Sequence, residues 1–490
     1  MDGERRFNLM DEPWIPVAAG RASLRDAFSS SGGMALGGTP LEKIAVFKLL
    51  QAIAQAAATP PDNDAWLRLG VDGLAERCLA YLEERHDAFW LYGPEPFLQF
   101  PAVKGAKLLS CGALLPDIAT GNTSLLFQSQ MERPLDDAQK ALLLLVNMSC
   151  CFSGKKVDKS VVLSPGVVKS ASAKAGPALC AYGLLHSFLL GRSLRETAWL
   201  NLLTQEQLTQ EKLYEQGVGT PPWDAMPKGE ADDVAEALKR SLMGRLVPLA
   251  RFYLLDGDGI HSVEGIQHPD YLQGGMVDPS VTGDRSLKKP RMLWADPQKR
   301  LWRELPSLLG FLHQETSDGM RCLQLSWCIP RLATAPVDGV TLWSGGIRLR
   351  SNAGEQYLSG SDDVVESEVT LPTSCLGNGQ DSDWFQSFQI GMEELDRLSR
   401  VLYAAVAGYY RDEKEESASK WAERASLEFW QLAERLFPEL VDACGQAGAD
   451  ARNAVLRKAR GIVLQCYAHA CPQETARQLT LWARHRPFGK

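Results

Sequence analysis

Residue types able to do chemistry are present in this chain, but their spacing forms almost no recognisable centre. Seven histidines stand at 86, 186, 261, 268, 313, 469 and 485, and none belongs to an H-E-x-x-H pair. His261 and His268 share the stretch LLDGDGIHSVEGIQHPDY with Asp256, Asp258 and Asp270, a set that invites a metal. Zinc asks for three or four ligands at short spacing, usually with cysteine, and no cysteine lies between 180 and 322. The D-G-D-G run does not continue as a calcium loop, because its twelfth position is Gln267 rather than Glu. A polar hairpin loop is the simpler reading. Cys150-Cys151 would supply a nucleophile if a distant histidine reached it, yet the pair ends an apolar helical pattern, where a thiol normally packs. There is no G-x-x-x-x-G-K-[ST] phosphate loop and no G-x-S-x-G elbow. We therefore expect no catalytic residue, no metal and no cofactor.

Charge is more informative. The 490 residues carry 52 Lys and Arg against 60 Asp and Glu, a formal net charge of −8, so no whole-chain attraction to nucleic acid or membrane exists. Three local runs go the other way. Lys155 to Lys174 has five lysines and one aspartate among small residues. Asp284 to Arg303 has seven basic and two acidic residues, interleaved with Trp294 and Trp302, and Arg452 to Lys490 has eight basic residues and one acidic. A basic group on a phosphate releases counterions, so such runs are candidate nucleic-acid contacts. A helical charge run is also often only a solvated face, and both readings stand for the third. The eleven cysteines, an odd number without a C-x-x-C pair, read as buried thiols of a reducing, cytoplasmic compartment. No apolar run approaches the roughly 20 residues a membrane span needs.

The elements that would position these runs fall into two blocks, and the fold class is α+β. Residues 1–376 read as a large mixed α/β domain: helical periodicity over 40–58, from 62, over 72–87, 134–151, about 178–190 and 194–203. A β signal then runs through RLVPLARFYLL, MRCLQLSWCI, GVTLWSGGIRLR and VVESEVTL. Residues 380–490 carry long amphipathic patterns at about 386–412, 416–436, 448–470 and 472–485, with breaks at Pro438, Gly445, Gly448 and Pro472. Short connections between such patterns predict an antiparallel C-terminal four-helix bundle.

Particular residues also suggest a family. Phe7-Asn-Leu-Met-Asp-Glu-Pro-Trp-Ile-Pro-Val17 resembles the opening of CasA, the large subunit of the type I-E CRISPR surveillance complex Cascade. In the family's order follow Pro96-Phe-Leu-Gln99, similar to its PF-hydrophobic-Q, and Gly191 to Leu203, similar to its G-x-x-L-x-x-T-x-x-L-N-x-L helix. Ser344-Gly-Gly-Ile-Arg348 then sits like its G-G-x-R turn, and Glu428 to Phe437 resembles part of its last domain.

The resemblance implies a non-catalytic protein that recognises the protospacer-adjacent motif on duplex DNA, mostly from the minor groove, helps to open the duplex and recruits the helicase–nuclease. It implies crRNA and the other Cascade subunits as further partners. Residue by residue, the family's glycine loop matches Phe152 to Lys156, so Ser153, Gly154, Lys155 and Lys156 are expected at the minor groove, with Ser170 to Lys174 a second candidate. The lysine finger corresponds to Lys288 or Lys289. The wedge hairpin should be Leu349 to Gly354, with Arg350, Ser351 and Asn352 on DNA and Asn352 where a glutamine is usual. The loop touching the crRNA 5′ end and the neighbouring subunit matches Asn122 to Gln130, including Phe127 and Gln128. Where many relatives hold a Cys-rich zinc knuckle, after Arg251 to Leu255, this chain has no cysteine, and no zinc is expected. The alternatives are the large subunit of another class 1 CRISPR subtype and a cytosolic hydrolase using Cys150 or Cys151.

Overall fold

In the computed structural model of the chain, the described residues are 6–29, 33–115, 133–150, 157–158, 160–163, 183–210, 214–268, 278–284, 291–296, 303, 305, 309, 320–347, 350–352, 355–357, 364–376, 383–446 and 448–488. Helices and small sheets are mixed, and the chain divides into two compact units: Met1–Pro297 with Ser317–Thr370, and Gln298–Thr316 with Leu371–Lys490.

The first unit is built on helix α1 (Pro40–Ala58), which starts where the sequence dictates. Pro40 occupies the first turn, and Thr39 and Glu42 exchange side-chain and backbone hydrogen bonds in a capping box. Helix α2 (Asn63–Glu84) is capped by Asp62, whose carboxylate accepts the Ala65 N–H at 2.7 Å. The two helices expected here are present as two segments of this span, separated at Gly70, whose backbone (φ +63°, ψ 178°) is not helical and suits a residue without a Cβ. Helices α3 (Asp137–Cys150), α4 (Leu194–Asn201) and α5 (Asp233–Lys239) follow.

Five small sheets complete the unit. Strands β1 (Ile15–Val17) and β2 (Gly20–Ala22) form a hairpin. Strands β3 (Leu108–Ser110), β5 (Arg251–Asp256) and β6 (Gly259–Glu264) form a sheet in the order β3-β6-β5. Strands β7 (Thr282–Asp284), β8 (Arg291–Met292) and β9 (Arg321–Cys322) order as β8-β7-β9. A third sheet orders β13 (Val364–Pro372), β10 (Gly339–Ile347) and β4 (His186–Leu190), and β11 (Arg350–Asn352) pairs with β12 (Glu355–Tyr357) as a separate ribbon.

Three expectations are corrected here. Residues 186–190 form strand β4, not the end of a helix. His186, Ser187, Phe188 and Leu189 are all buried, and a strand covered on both faces reads as an unbroken apolar run that periodicity cannot tell from helix. LQLSWC, expected as strand, is helix α6 (Leu323–Cys328). Gly345 and Gly346, expected in a turn, lie inside β10. A Cβ on Gly345 would stand 2.5 Å from the indole of Trp343, and one on Gly346 would stand 2.7 Å from the Leu184 carbonyl oxygen. The glycines admit a ring and a neighbouring backbone rather than a turn.

The core stacks Phe47 on Phe188 (3.8 Å between centroids) and Phe188 on Trp343 (4.5 Å), with Trp66 on Trp199 (4.1 Å). Within it lies an ion pair with no exposure at all, Lys48 Nζ to Asp278 Oδ1 at 2.7 Å. Burial alone would raise the Asp278 carboxyl; Lys48, His186 and Ser280 overturn that and hold it down at about 2. Ser280 donates from its N–H (2.9 Å) and hydroxyl (2.8 Å) to the same Oδ1, and His186 Nδ1 lies 2.9 Å from that hydroxyl.

The second unit is helical: α7 (Asp383–Glu413), α8 (Ala418–Ala433), α9 (Phe437–Cys444), α10 (Asp450–Ala470) and α11 (Ala476–His485). Pro438, expected to break a helix, sits in the first turn of α9, where its missing N–H costs nothing. Tyrosines and tryptophans tie the helices by their polar ends: Trp384 Nε1 donates to Val441 O (3.0 Å), Tyr409 to Pro472 O (2.7 Å) and Tyr410 to Ala470 O (2.7 Å).

Two outcomes are expected. Lys48→Met strands a buried carboxylate and should lower unfolding free energy by about 3–5 kcal/mol, with Lys48→Met/Asp278→Asn recovering much of it, both read from denaturant midpoints. Because Asp278 is depressed, its contribution is present above pH about 4 and is lost as pH falls from about 4 to about 2. Gly345→Ala should cost about 1–3 kcal/mol in the same assay, since Trp343 is fully buried and its Nε1 is bonded to Glu366 at 2.8 Å.

Candidate nucleic-acid interface

The short stretch 183–186, where β4 begins, is the root of two of the predicted DNA elements. Leu184 bridges Trp294, His186 bridges Val281, and the Ala295 N–H donates to Gly183 O at 2.8 Å. On its other side, Gly346 of β10 approaches the Leu184 carbonyl, with the Ala295 Cβ 3.1 Å from the position a Gly346 Cβ would take. Strands β7 and β8 and the end of β10 therefore leave from adjacent backbone.

From this root β7 and β8 run antiparallel, with Asp284 opposite Arg291. Lys288 and Lys289 belong to the connection between them and lie outside the described residues. Trp294, just past β8, is 47% exposed. Beyond β10 the chain forms the β11–β12 ribbon, in register Arg350↔Tyr357, Ser351↔Gln356 and Asn352↔Glu355. Arg350, Ser351 and Asn352 make up its first strand, and Asn352 is the last paired residue before a two-residue connection.

The β3–β6–β5 sheet roots the other two elements. Ser153, Gly154, Lys155 and Lys156 lie outside the described residues, but both flanks are fixed. Before them, α3 is tied by Asn147 Nδ2 to Leu114 O (3.1 Å). After them, the Asp158 N–H donates to Ser262 O of β6 (2.8 Å), and the Asp158 carboxylate accepts the Ser160 hydroxyl (2.6 Å) and the Lys107 N–H (2.8 Å). Those bonds hold its carboxyl below the usual range, Ser160 contributing most. The stretch containing Asn122, Phe127 and Gln128 also lies outside the described residues. Its ends meet, since a Cβ on Gly112 would stand 2.6 Å from Arg133 O.

The third basic run is largely spent on its own helices. Lys458 pairs with Glu439 (2.5 Å), Arg460 with Glu394 (3.3 Å), His469 with Glu428 (2.9 Å), and Arg484 and His485 with Asp412 (3.3 and 2.8 Å). Arg303 of the second run is likewise engaged, its guanidinium 3.8 Å over the Trp430 ring. A groove of about 480 Å³ lies between α7 and α10, lined by Ile390, Arg452, Leu456, Arg457 and the paired Glu394 and Arg460. Composition located the charge there, but the groove needed Ile390 from a helix sixty residues away.

The family-like motifs turn out to bind backbone. Asn8 accepts the Met10 N–H (2.8 Å) and donates to His86 O (3.1 Å). Gln99 donates to Leu91 O (2.7 Å) and accepts from Leu255 N (2.8 Å). Asn201 does the same for both groups of Leu189 (3.0 and 2.7 Å), and Thr197 accepts the Gly191 N–H (3.0 Å). Arg331, which sequence reasoning did not single out, donates to the Leu200 and Leu202 carbonyls at 2.7 and 2.8 Å. A lone arginine after an apolar run gives no sequence signal of that role.

The other candidate chemistry is spent on structure too. Nδ1 of His261 lies 2.8 Å from Ala106 O. His268 sits between Pro248 O (2.7 Å) and Arg245 (2.8 Å), and burial followed by the Arg245 charge depresses its pKa. Asp256 and Gly259 are register partners, so the expected polar loop is the tight Gly257–Asp258 connection of the β5–β6 hairpin. Among the described residues no three His, Cys, Asp or Glu side chains converge as metal ligands. Among the described residues Cys78, Cys328, Cys466 and Cys471 are buried free thiols, whereas Cys150 is disulfide-bonded. That bond corrects the reading of every cysteine as a thiol and removes Cys150 as a standing nucleophile.

The chain matches the family described as CRISPR-associated protein Cse1 over residues 8–466. It is 30% identical over 331 residues to the CRISPR-associated protein CasA/Cse1 of Thermus thermophilus, covering 63% of this chain and 61% of that protein, so the match spans less than two thirds of the relative. Among solved structures it is similar to Thermobifida fusca Cse1 (TM-score 0.75, 21% identity, 98% of this chain and 96% of that one). It is also similar to Cse1 from Acidimicrobium ferrooxidans (0.73, 18%, 99% of both) and to a chain of a CRISPR RNA-guided surveillance complex (0.69, 18%, 98% and 99%). A family match running from the Asn8 anchor into helix α10, on a fold shared along nearly the whole length, places this chain in the CRISPR-associated Cse1 family.

Proposed function

We propose that this chain is the large, non-catalytic subunit of a type I-E Cascade surveillance complex that reads the protospacer-adjacent motif of duplex DNA and helps to open it. The observation that supports this best is the common root at residues 183–186, from which the β7–β8 hairpin carrying Lys288 and Lys289 and the β11–β12 ribbon carrying Asn352 both extend. In this reading Ser153 to Lys156 and one of the two lysines enter the minor groove. Arg350, Ser351 and Asn352 part the first base pair, the Asn352 amide bonding a splayed base.

The minor groove offers a degenerate hydrogen-bond code, so a tolerant motif preference follows. Asn122, Phe127 and Gln128 then face the crRNA 5′ end and a neighbouring subunit. The five C-terminal helices act as an antiparallel bundle docked on the small subunits, with the Arg452–Arg457–Arg460 groove along a nucleic-acid strand. The helicase–nuclease is recruited to the opened complex. The setting is cytoplasmic; among the described residues no helix is long and apolar enough to cross a membrane.

A Cascade core lacking its large subunit, supplied with this chain and duplexes of randomised flanking trinucleotide, should enrich particular flanks among bound DNA only when the chain is present. Assembly without flank preference would overturn the motif-reading role. Alanine at Lys155, Lys156, Lys288 and Lys289 together should weaken target-duplex binding at least roughly tenfold near physiological salt. It should also make the slope of log affinity against log salt shallower by up to about 3–4, about 0.9 per lost phosphate contact.

A further inference from the structure

One groove of the first unit has no place in the elements described so far. Beside the break of α2 at Gly70, a groove of about 480 Å³ is lined by Arg68 and Leu69 of the first segment and by Gly73, Glu76 and Arg77 of the second. Pro60 and Pro61, in the connection from α1, complete the lining.

The frame of this groove is fixed. Trp66 of the first segment is fully buried, stacks on Trp199 of α4 and donates from Nε1 to Trp199 O at 2.8 Å. Asp72, which opens the second segment, pairs with Arg195 of α4 at 3.0 Å. The carbonyls of Pro60 and Pro61 accept the N–H groups of Gln205 and Glu206 at 2.9 and 3.1 Å. A groove held by buried rings and backbone bonds exists before a ligand arrives, as binding sites usually do. Its apolar lining comes from the buried Pro60 and the half-buried Leu69. Gly73 leaves room there, since a Cβ at that position would stand 3.3 Å from Leu69 Cδ1.

The charges on the groove are unpaired. Arg68 and Arg77 are exposed, and neither has an ion-pair or hydrogen-bond partner among the described residues. Arg85, just past the end of the same helix, is by contrast bonded through Nε to Asp224 at 2.7 Å. Two guanidiniums beside an apolar strip suit carboxylates, because the pairing is planar and bidentate. A continuous polyanion fits poorly: residues 59–77 carry four acids against two arginines, so nucleic acid laid along the groove meets net repulsion. A peptide can instead set one carboxylate at each arginine and an apolar side chain against Leu69 and Pro60. We infer that this groove docks an acidic segment of a partner protein, with carboxylates at Arg68 and Arg77 and an apolar residue between them. In placing that partner within the Cascade assembly, the inference rests on the proposed function.

Photocrosslinking in the assembled complex tests this, with Leu69→p-benzoylphenylalanine in the full chain and the Cascade core, target duplex and helicase–nuclease present. The expected product is an adduct to a protein subunit, through a peptide carrying acidic residues on both sides of an apolar one. At equal chain concentration, Arg68→Glu/Arg77→Glu should lower the adduct yield about tenfold. Gly73→Phe, which fills the groove and leaves its charge alone, should lower the yield as well. An adduct to crRNA or DNA, an adduct to a peptide without acidic residues, or a yield indifferent to the charge reversal overturns the inference. A chain that joins the core and gives no adduct overturns this inference alone, whereas one that does not join the core overturns the proposed function with it.

Discussion

The arrangement of the first unit depends on a charge pair that water does not reach. Lys48 sits on the buried face of α1, which it shares with Gln51 and Gln55, and its ion-pair partner, Asp278, begins the stretch that becomes β7. Two ions in a low-dielectric interior tolerate little displacement, because separating them leaves each uncompensated. The pair therefore fixes where the chain enters β7 relative to α1. Ser280 and His186 extend that constraint to the first residue of β4. The root at 183–186, and with it the departure points of the β7–β8 hairpin and of β10, is set by this one contact and the stacked Phe47, Phe188 and Trp343 above it.

Around that root the polar side chains of the core are used on backbone. Asn8, Gln99 and Asn201 each satisfy both an N–H and a C=O of a strand or loop, and Arg331 closes two carbonyls after α4. Loops joined by such bonds need no long regular sheet to hold them, which is why five small sheets suffice.

Charges are used internally as well. Lys458, Arg460 and Arg484 of the C-terminal helices each meet a carboxylate of a neighbouring helix, so part of the basic run is neutralised within the unit. Exposed pairs of this kind add little stability. One such pair, Arg460 with Glu394, lies in the groove that Arg452 and Arg457 also line, so part of its positive charge is offset there.

The sequence by itself determined the mixed character of the fold, the starts of α1 and α2 through Thr39, Pro40 and Asp62, and the long helices after 383, because caps and 3.6-residue periodicity are local physics. Its ordered motifs also pointed to the family, since a residue that must bond a particular backbone group leaves few substitutes. Only the tertiary structure decided that 186–190 is a strand, that LQLSWC is a helix and that Gly345 and Gly346 lie within β10, because burial on both faces erases the periodicity that local reading needs. It alone paired Lys48 with a partner 230 residues away. Electrostatic partnership across such separations is a property of the folded chain, and no spacing along the sequence encodes it.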